Sequence, residues 1–207
     1  TFYHKSKFMV SALRDEFWKV FNSPADDGKY DGYLGTYIDH FIPEKKDSLS
    51  YRGSITDISA LDEFSGGWFF DVIVEGAWSP KVSILFKIVE ECYPGVEIAY
   101  IAEEPGMDIF YCHDSTGSFY DDAVYIDYYS EKDCFTDTYP TTDDAIDALI
   151  EYFNVDRTKL DVPYPTLDDL VSYIVKRDGM YHPDDNPESD YYLSVKYYED
   201  VHPALAD

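Results

Sequence analysis

The first apolar pattern along the chain is helical. Val10, Leu13, Phe17 and Phe21 recur at spacings of three and four, which predicts an amphipathic helix over residues 6–22. Ser6 stands where an N-cap belongs, and Asn22-Ser23-Pro24 ends the pattern. Residues 25–32 are rich in Asp and Gly and read as loop. Tyr33–Ile42 fits a short strand as well as a helical turn, and Pro43–Asp47 reads as an exposed loop. Ile55, Ile58 and Leu61 share one side of a short helix predicted over Ser54–Phe64, which Ser65-Gly66-Gly67 breaks.

Gly66–Asp127 is the best-specified stretch. Phe70, Val72 and Val74 alternate with Phe69, Asp71, Ile73 and Glu75, the pattern of a strand covered mainly on one face. Ser79-Pro80 then suits a helix start, with Ser79 as cap and Pro80 in the first turn, where its missing N–H costs nothing. Val82, Leu85, Phe86 and Val89 give the stripe of a helix over Lys81–Cys92, closed by Tyr93-Pro94-Gly95. Val96–Ala102 and Met107–Cys112 read as strands joined by a turn at Pro105-Gly106, hence an antiparallel pair. A turn at Asp114–Gly117 leads to a third strand of this meander, Ala123–Tyr128.

Past Tyr128 the chain becomes polar over Asp133–Thr142. Thr142 caps a helix predicted to run to Phe153, with Ala145, Leu149 and Ile150 inward and Asp143-Asp144 at the positive end of its dipole. Pro163-Tyr164-Pro165 is a stiff connector. Thr166-Leu167-Asp168-Asp169 opens a second helix, with Leu170, Tyr173 and Ile174 inward and Gly179 closing it. His182–Pro187 is loop. Tyr191–Tyr198 is a last strand, with Tyr191, Leu193, Val195 and Tyr197 on one face. Strands, a crossover helix and antiparallel hairpins predict an α+β fold with helices packed on one face of an antiparallel sheet. The domain expectation is a core over residues 1–130 and an acidic, mainly helical C-terminal extension over 131–207 packed on it.

Composition gives this outline enough core, since 45% of the 207 residues are hydrophobic. No apolar run reaches the length of a membrane span, and Thr1–Lys5 lacks the form of a secretory signal. Cys92, Cys112 and Cys134 are an odd count without a close pair, which favours a reducing compartment over a disulfide framework. Net charge changes the picture most. It is −26, and −16 of that falls within residues 121–207. Such a surface repels nucleic acid and anionic membranes and attracts basic proteins or divalent cations; solubility or a salt-adapted proteome is the competing explanation.

Catalytic patterns are sparse. None of His4, His40, His113, His182 and His202 has the spacing of a helical metal pair, and Cys112 and His113 point to opposite faces of a strand. No nucleophile elbow, phosphate loop or dinucleotide fingerprint occurs. Asp184–Glu188 is rich in oxygen ligands but lacks the spacing of a calcium loop. Trp68 and Trp78 have too few basic neighbours for a base-stacking platform and read as core. Expected catalytic residues, cofactors and metal ligands are therefore none. One alternative is a divalent-metal enzyme built on Glu103, Glu104 and Asp108; another is an acidic interaction module for an unspecified protein.

At Ala77-Trp78-Ser79-Pro80, then Tyr93-Pro94, then Glu103-Glu104-Pro105-Gly106-Met107-Asp108, the chain resembles the Api92-like (YubB-like) ferredoxin-like domain family of phage, plasmid and other mobile-element proteins. Ile42-Pro43 matches an upstream Ile-Pro of the same pattern. The likeness covers roughly residues 66–128; the family's Asn-Trp-Gly-Thr-Lys-Trp-type segment is reduced to Gly66-Gly67-Trp68. The resemblance implies a ferredoxin-like core and a mobile-element setting in a bacterial cytoplasm. It implies no catalytic residue, and three cysteines do not supply the four thiolates of an iron–sulfur cluster.

Charge and setting together suggest a non-enzymatic inhibitor, a DNA mimic that occupies the basic nucleic-acid-binding surface of a host defence nuclease such as a CRISPR effector or restriction enzyme. It would bind neither nucleic acid nor membrane. The expected partner-binding residues are Asp143, Asp144, Asp147 and Glu151 on one helix and Asp168 and Asp169 on the next, with Asp121 and Asp122 extending the stripe. Asp143, Asp147 and Glu151 are four apart and share a helical face, a locally unfavourable placement that solubility alone does not require.

Overall fold

Three residues, Phe2–His4, form the strand around which the first sheet is built. The computed structural model describes residues 1–23, 32–49, 52–76, 81–160, 165–180 and 191–205. It divides into one unit of Thr1–Ser115 with Asp200–Asp207 and a second of Thr116–Glu199. The fold is mixed α+β with antiparallel sheets.

In the first unit the order is β1 (Phe2–His4), α1 (Lys7–Phe21), α2 (Leu34–Phe41), β2 (Gly53–Ile58), β3 (Asp62–Phe64), β4 (Gly67–Phe70), β5 (Val72–Gly76), α3 (Val82–Cys92), β6 (Glu97–Ile98), β7 (Tyr100–Glu104) and β8 (Ile109–His113). The main sheet runs β3-β4-β1-β6, and β2 pairs with β5 as the continuation of the β3–β4 hairpin. Ser59 and Asp71 bridge the irregular step between these ladders: Ser59 N–H donates to the Asp71 carbonyl at 2.9 Å, and Asp71 N–H donates to Ser59 Oγ at 2.8 Å. Val10, Leu13 and Phe17 of α1, Tyr37 and Ile38 of α2, and Ile84 and Ile88 of α3 are all buried in one core with Phe2 and Phe70. Phe2 stacks on Phe70 at 5.1 Å and meets Phe17 at 5.3 Å.

The helix expected over Ser54–Phe64 is instead strands β2 and β3. The ladder register shifts between Ile55 and Asp57, so one extra residue stands in β2. Such a bulge turns residues three apart to the same side. Ile55 and Ile58 are both buried while Thr56 and Asp57 between them are exposed, so a strand carries helical spacing. Tyr33–Ile42 resolves to helix, and Pro43–Ser48 is a 3-10 helix rather than loop. Helix α3 starts at Val82, with Lys81 at the N-cap position; the expected cap Ser79 and Pro80 lie outside the described residues, as does Trp78. β7 and β8 pair as expected across Pro105–Met107, and Asp108 takes the left-handed conformation at φ 55°. Returning from Asp200, the chain runs along β8, with Val201 N–H donating to the Cys112 carbonyl at 2.8 Å.

The second unit comprises β9 (Val124–Tyr129), β10 (Cys134–Tyr139), α4 (Thr142–Tyr152), α5 (Leu167–Asp178) and β11 (Tyr192–Tyr197). β9 was expected to continue the β7–β8 meander. It pairs instead with β10 and β11 in the sheet order β10-β9-β11, because the chain supplies those partners later. The expected boundary near residue 130 thus falls within the β9–β10 hairpin, and the C-terminal region is a sheet with two helices rather than a helical extension. β10 lies in the segment read as merely polar; its Thr, Phe and Tyr residues suit a strand. Val124, Ile126, Tyr128 and Leu193 point to one face and bury against Ala145, Leu149, Leu170 and Ile174. Leu193, with Val195 packed beside it, lies on the face predicted for β11.

A candidate acidic surface

Strand register fixes which ends of the second unit the helices occupy. Val124, Tyr139 and Tyr197 stand opposite one another, so the start of β9 and the ends of β10 and β11 share one end of the sheet. Helix α4 begins two residues after β10 and therefore starts at that end. At its other end Tyr152 and Phe153 pack on Tyr128, at 5.7 and 5.1 Å between rings. Helix α5 starts at the same end as α4, because Tyr197 donates a hydrogen bond to Asp168 at 2.8 Å. It finishes beside the end of α4, where Arg177 donates to the Phe153 carbonyl at 3.0 Å. The two helices thus run in the same direction, and both positive dipole ends lie together.

Six of the eight expected carboxylates gather there. Asp143 and Asp144 lie in the first turn of α4, Asp168 and Asp169 in the first turn of α5, and Asp121 and Asp122 just before β9. All six are exposed. Two parallel helix N-termini favour negative charge at this end, each by about 0.3–1 kcal/mol at an exposed site. Asp147 is one turn further along α4, and Glu151 lies near its opposite end, so Glu151 does not join the group.

The six differ in what they already hold. Thr141, not Thr142, caps α4: its Oγ accepts from Asp144 N–H at 3.1 Å and donates to the Asp144 carboxylate at 2.7 Å. Thr166 and Asp169 form a capping box. The Asp169 carboxylate accepts from Thr166 Oγ at 2.8 Å and Thr166 N–H at 3.1 Å, and these donors hold it below the usual carboxylate range. Burial, with the hydrogen bond to Asp168, pushes the Tyr197 hydroxyl up to about 12. Asp147 is ion-paired with Arg157, both largely exposed, a pair worth about 0–1 kcal/mol. Asp121, Asp122 and Asp143 make no hydrogen bond or ion pair among the described residues. They are the carboxylates best able to accept a partner's cations without first losing a bond.

Asp133 and Asp137, on β10 and its approach, are also exposed carboxylates, but they stand in no acidic doublet and on no helical face, so the sequence pattern does not single them out. Asp133 accepts from the Tyr152 hydroxyl. Elsewhere, His113 Nδ1 lies 2.8 Å from Asp200, and its ring is 5.2 Å from His202, a meeting that linear spacing does not reveal. Among the described residues no group of three His, Cys, Asp or Glu side chains could hold a metal ion, and this includes Glu103, Glu104 and Asp108. The Asp184–Glu188 segment lies outside the described residues. Trp68 carries Lys7 Nζ over its ring at 3.8 Å. No helix among the described residues is long and apolar enough to cross a membrane.

Fold and surface together define an α+β protein of two antiparallel units, the second presenting an acidic end. No family model matches the chain, and no curated protein or solved structure matches it either.

Proposed function

We propose that this chain is a non-enzymatic acidic inhibitor that occupies the basic nucleic-acid-binding surface of a nuclease, with the helix-start end of the second unit as the contact. The observation that carries the reading is the convergence of Asp121, Asp122, Asp143, Asp144, Asp168 and Asp169 at one end of that unit. Residues 116–199 hold 20 acidic and 6 basic side chains, so the unit that carries this end has a large negative net charge. Carboxylates on two rigid helices and a turn can replace phosphates at Lys and Arg positions of such a partner, and binding would weaken with salt.

The finer fold reading belongs to the same proposal. The first unit is ferredoxin-like in this reading. What supports it is the antiparallel order β6-β1-β4-β3, with α1 and α2 between β1 and the β2–β3 stretch and α3 between β5 and β6. A mobile-element origin rests on the Api92-like resemblance alone. Its Ala77–Pro80 element lies outside the described residues, and its last part crosses into the second unit.

The test is inhibition of DNA cleavage by a panel of restriction endonucleases and CRISPR effectors, at low and high salt. Wild-type chain inhibits a member of the panel and loses potency as salt rises. D121N/D122N/D143N weakens inhibition at least tenfold while leaving both helix caps in place. Asn suits position 122, where φ is 61°. Unchanged potency in the triple variant, or no inhibition of any nuclease, rejects the proposal.

A further inference from the structure

The six cations of the second unit are not spread evenly. Lys159, Lys176 and Arg177 line one groove, together with Leu160, Pro165, Asp169, Ser172 and Tyr173. Positions 169, 172, 173 and 176 are one face of α5, and Lys159 and Leu160 belong to the segment that returns from α4. The groove has a volume of about 560 Å³, within the range of small-molecule sites.

The cations are committed to different degrees. Arg177 makes two hydrogen bonds to Asp178, both 2.6 Å, and a third to the Phe153 carbonyl. Its guanidinium also lies 5.9 Å from the centre of the Tyr173 ring. Among the described residues Lys159 has only a long contact to Asp156, at 3.9 Å. Lys176 has no hydrogen bond or ion pair among the described residues. A helix dipole accounts for Lys176 and Arg177 in the last turn of α5, but not for Lys159 across the groove. In a unit with 20 acidic side chains, an ammonium with no carboxylate partner among the described residues is unexpected. Asp169, the acid that does line the groove, accepts from Thr166 Oγ and Thr166 N–H through one of its two carboxylate oxygens.

We infer that this groove binds an aromatic oxyanion: Lys159 and Lys176 hold the charged group, and the Tyr173 ring with Leu160 and Pro165 covers the apolar part. The inference is separate from the nuclease-inhibitor reading, because Lys159, Lys176 and Tyr173 are not among the six contact carboxylates, although Asp169 borders both places. No bond is made or broken; the site is a binding site only.

Amide NMR titration of the full chain tests it, with phenyl phosphate, benzoate and inorganic phosphate as probes at constant ionic strength. Both aromatic anions should shift amides of residues 159–160 and 169–177, and phenyl phosphate should bind at least fivefold more tightly than inorganic phosphate. K159Q/K176Q alters two exposed side chains, and its unchanged spectrum away from the groove checks the fold. It should weaken phenyl phosphate at least tenfold, and Y173A should remove the preference over inorganic phosphate. Equal binding by K159Q/K176Q and wild type, or shifts reproduced by sodium chloride alone, overturns the inference.

Discussion

Gly32 and Gly179 have nearly the same backbone conformation, at φ 72° and 69°, in different surroundings. A Cβ built on Gly32 would stand 2.0 Å from the Ile55 carbonyl oxygen and 3.1 Å from its carbon, both backbone atoms. One on Gly179 would meet nothing within 4 Å. Substitution by Ala therefore carries the same left-handed cost at both sites, about 1–2 kcal/mol. At Gly32 it must also displace the Ile55 carbonyl, and a shift of Ile55 strains the bond its own N–H donates to the Gly32 carbonyl at 2.8 Å. Losing that bond adds about 1 kcal/mol before any strain in β2 is counted. G32A should thus cost more than about 2–3 kcal/mol and G179A about 1–2. Substitution by Asn separates the two contributions, since Asn tolerates left-handed backbone but still has a Cβ. G179N should be milder than G179A, whereas G32N should remain as damaging as G32A. Urea unfolding of the full chain gives the overall loss, and amide exchange at Ile55 and Met180 assigns it to a unit. If G32A lost no more stability than G179A, the packing argument for Gly32 would be wrong.

Other outcomes follow from the second unit. T166A removes the cap of α5 and should cost about 1 kcal/mol in chemical unfolding. Its partner Asp169 has a lowered carboxyl pKa, so the Thr166–Asp169 contribution is full above the unfolded value near about 3.9. It fades as pH falls through the lower folded value, and the gap between wild type and T166A should narrow over that acid range. L170A empties a fully buried position and should cost about 2–5 kcal/mol, read as faster exchange across β9 and α5. Tyr197 has a raised pKa, so the neutral phenol favours the folded unit below about pH 10 and that stability is lost as pH rises through about 12. Y197F should flatten this alkaline dependence in a pH series of melting temperatures.

Helices α1, α3, α4 and α5 were legible because each buries one continuous stripe, and α1, α4 and α5 also carry Asn, Thr or Gly at a cap position. Hairpin β7–β8 was legible because its turn is local. Ile55 and Ile58 misled because a bulge reproduces helical spacing without a helix. β10 was missed because, as an edge strand with Cys134, Thr136 and Asp137 exposed, its periodicity is weak. The acidic positions were legible individually. The sequence did not distinguish Asp144 and Asp169, which hold helix caps, from Asp143, which does not, because hydrogen-bonding commitments depend on side-chain placement.

The sequence by itself determined the α+β composition, most helices, the capping of α5 and the concentration of charge after residue 120. These depend on neighbours within one or two turns or on simple counting. Only the tertiary structure decided that β9 leaves the earlier meander to pair with β10 and β11. Only the structure aligned α4 and α5 in the same direction and brought Asp121 and Asp122 to their starts. Strand pairing joins residues far apart in the chain through backbone hydrogen bonds common to all side chains, so local pattern carries little information about the partner. The acidic end of the second unit is a product of that pairing: the charges are written in the chain, but their convergence is set by the sheet.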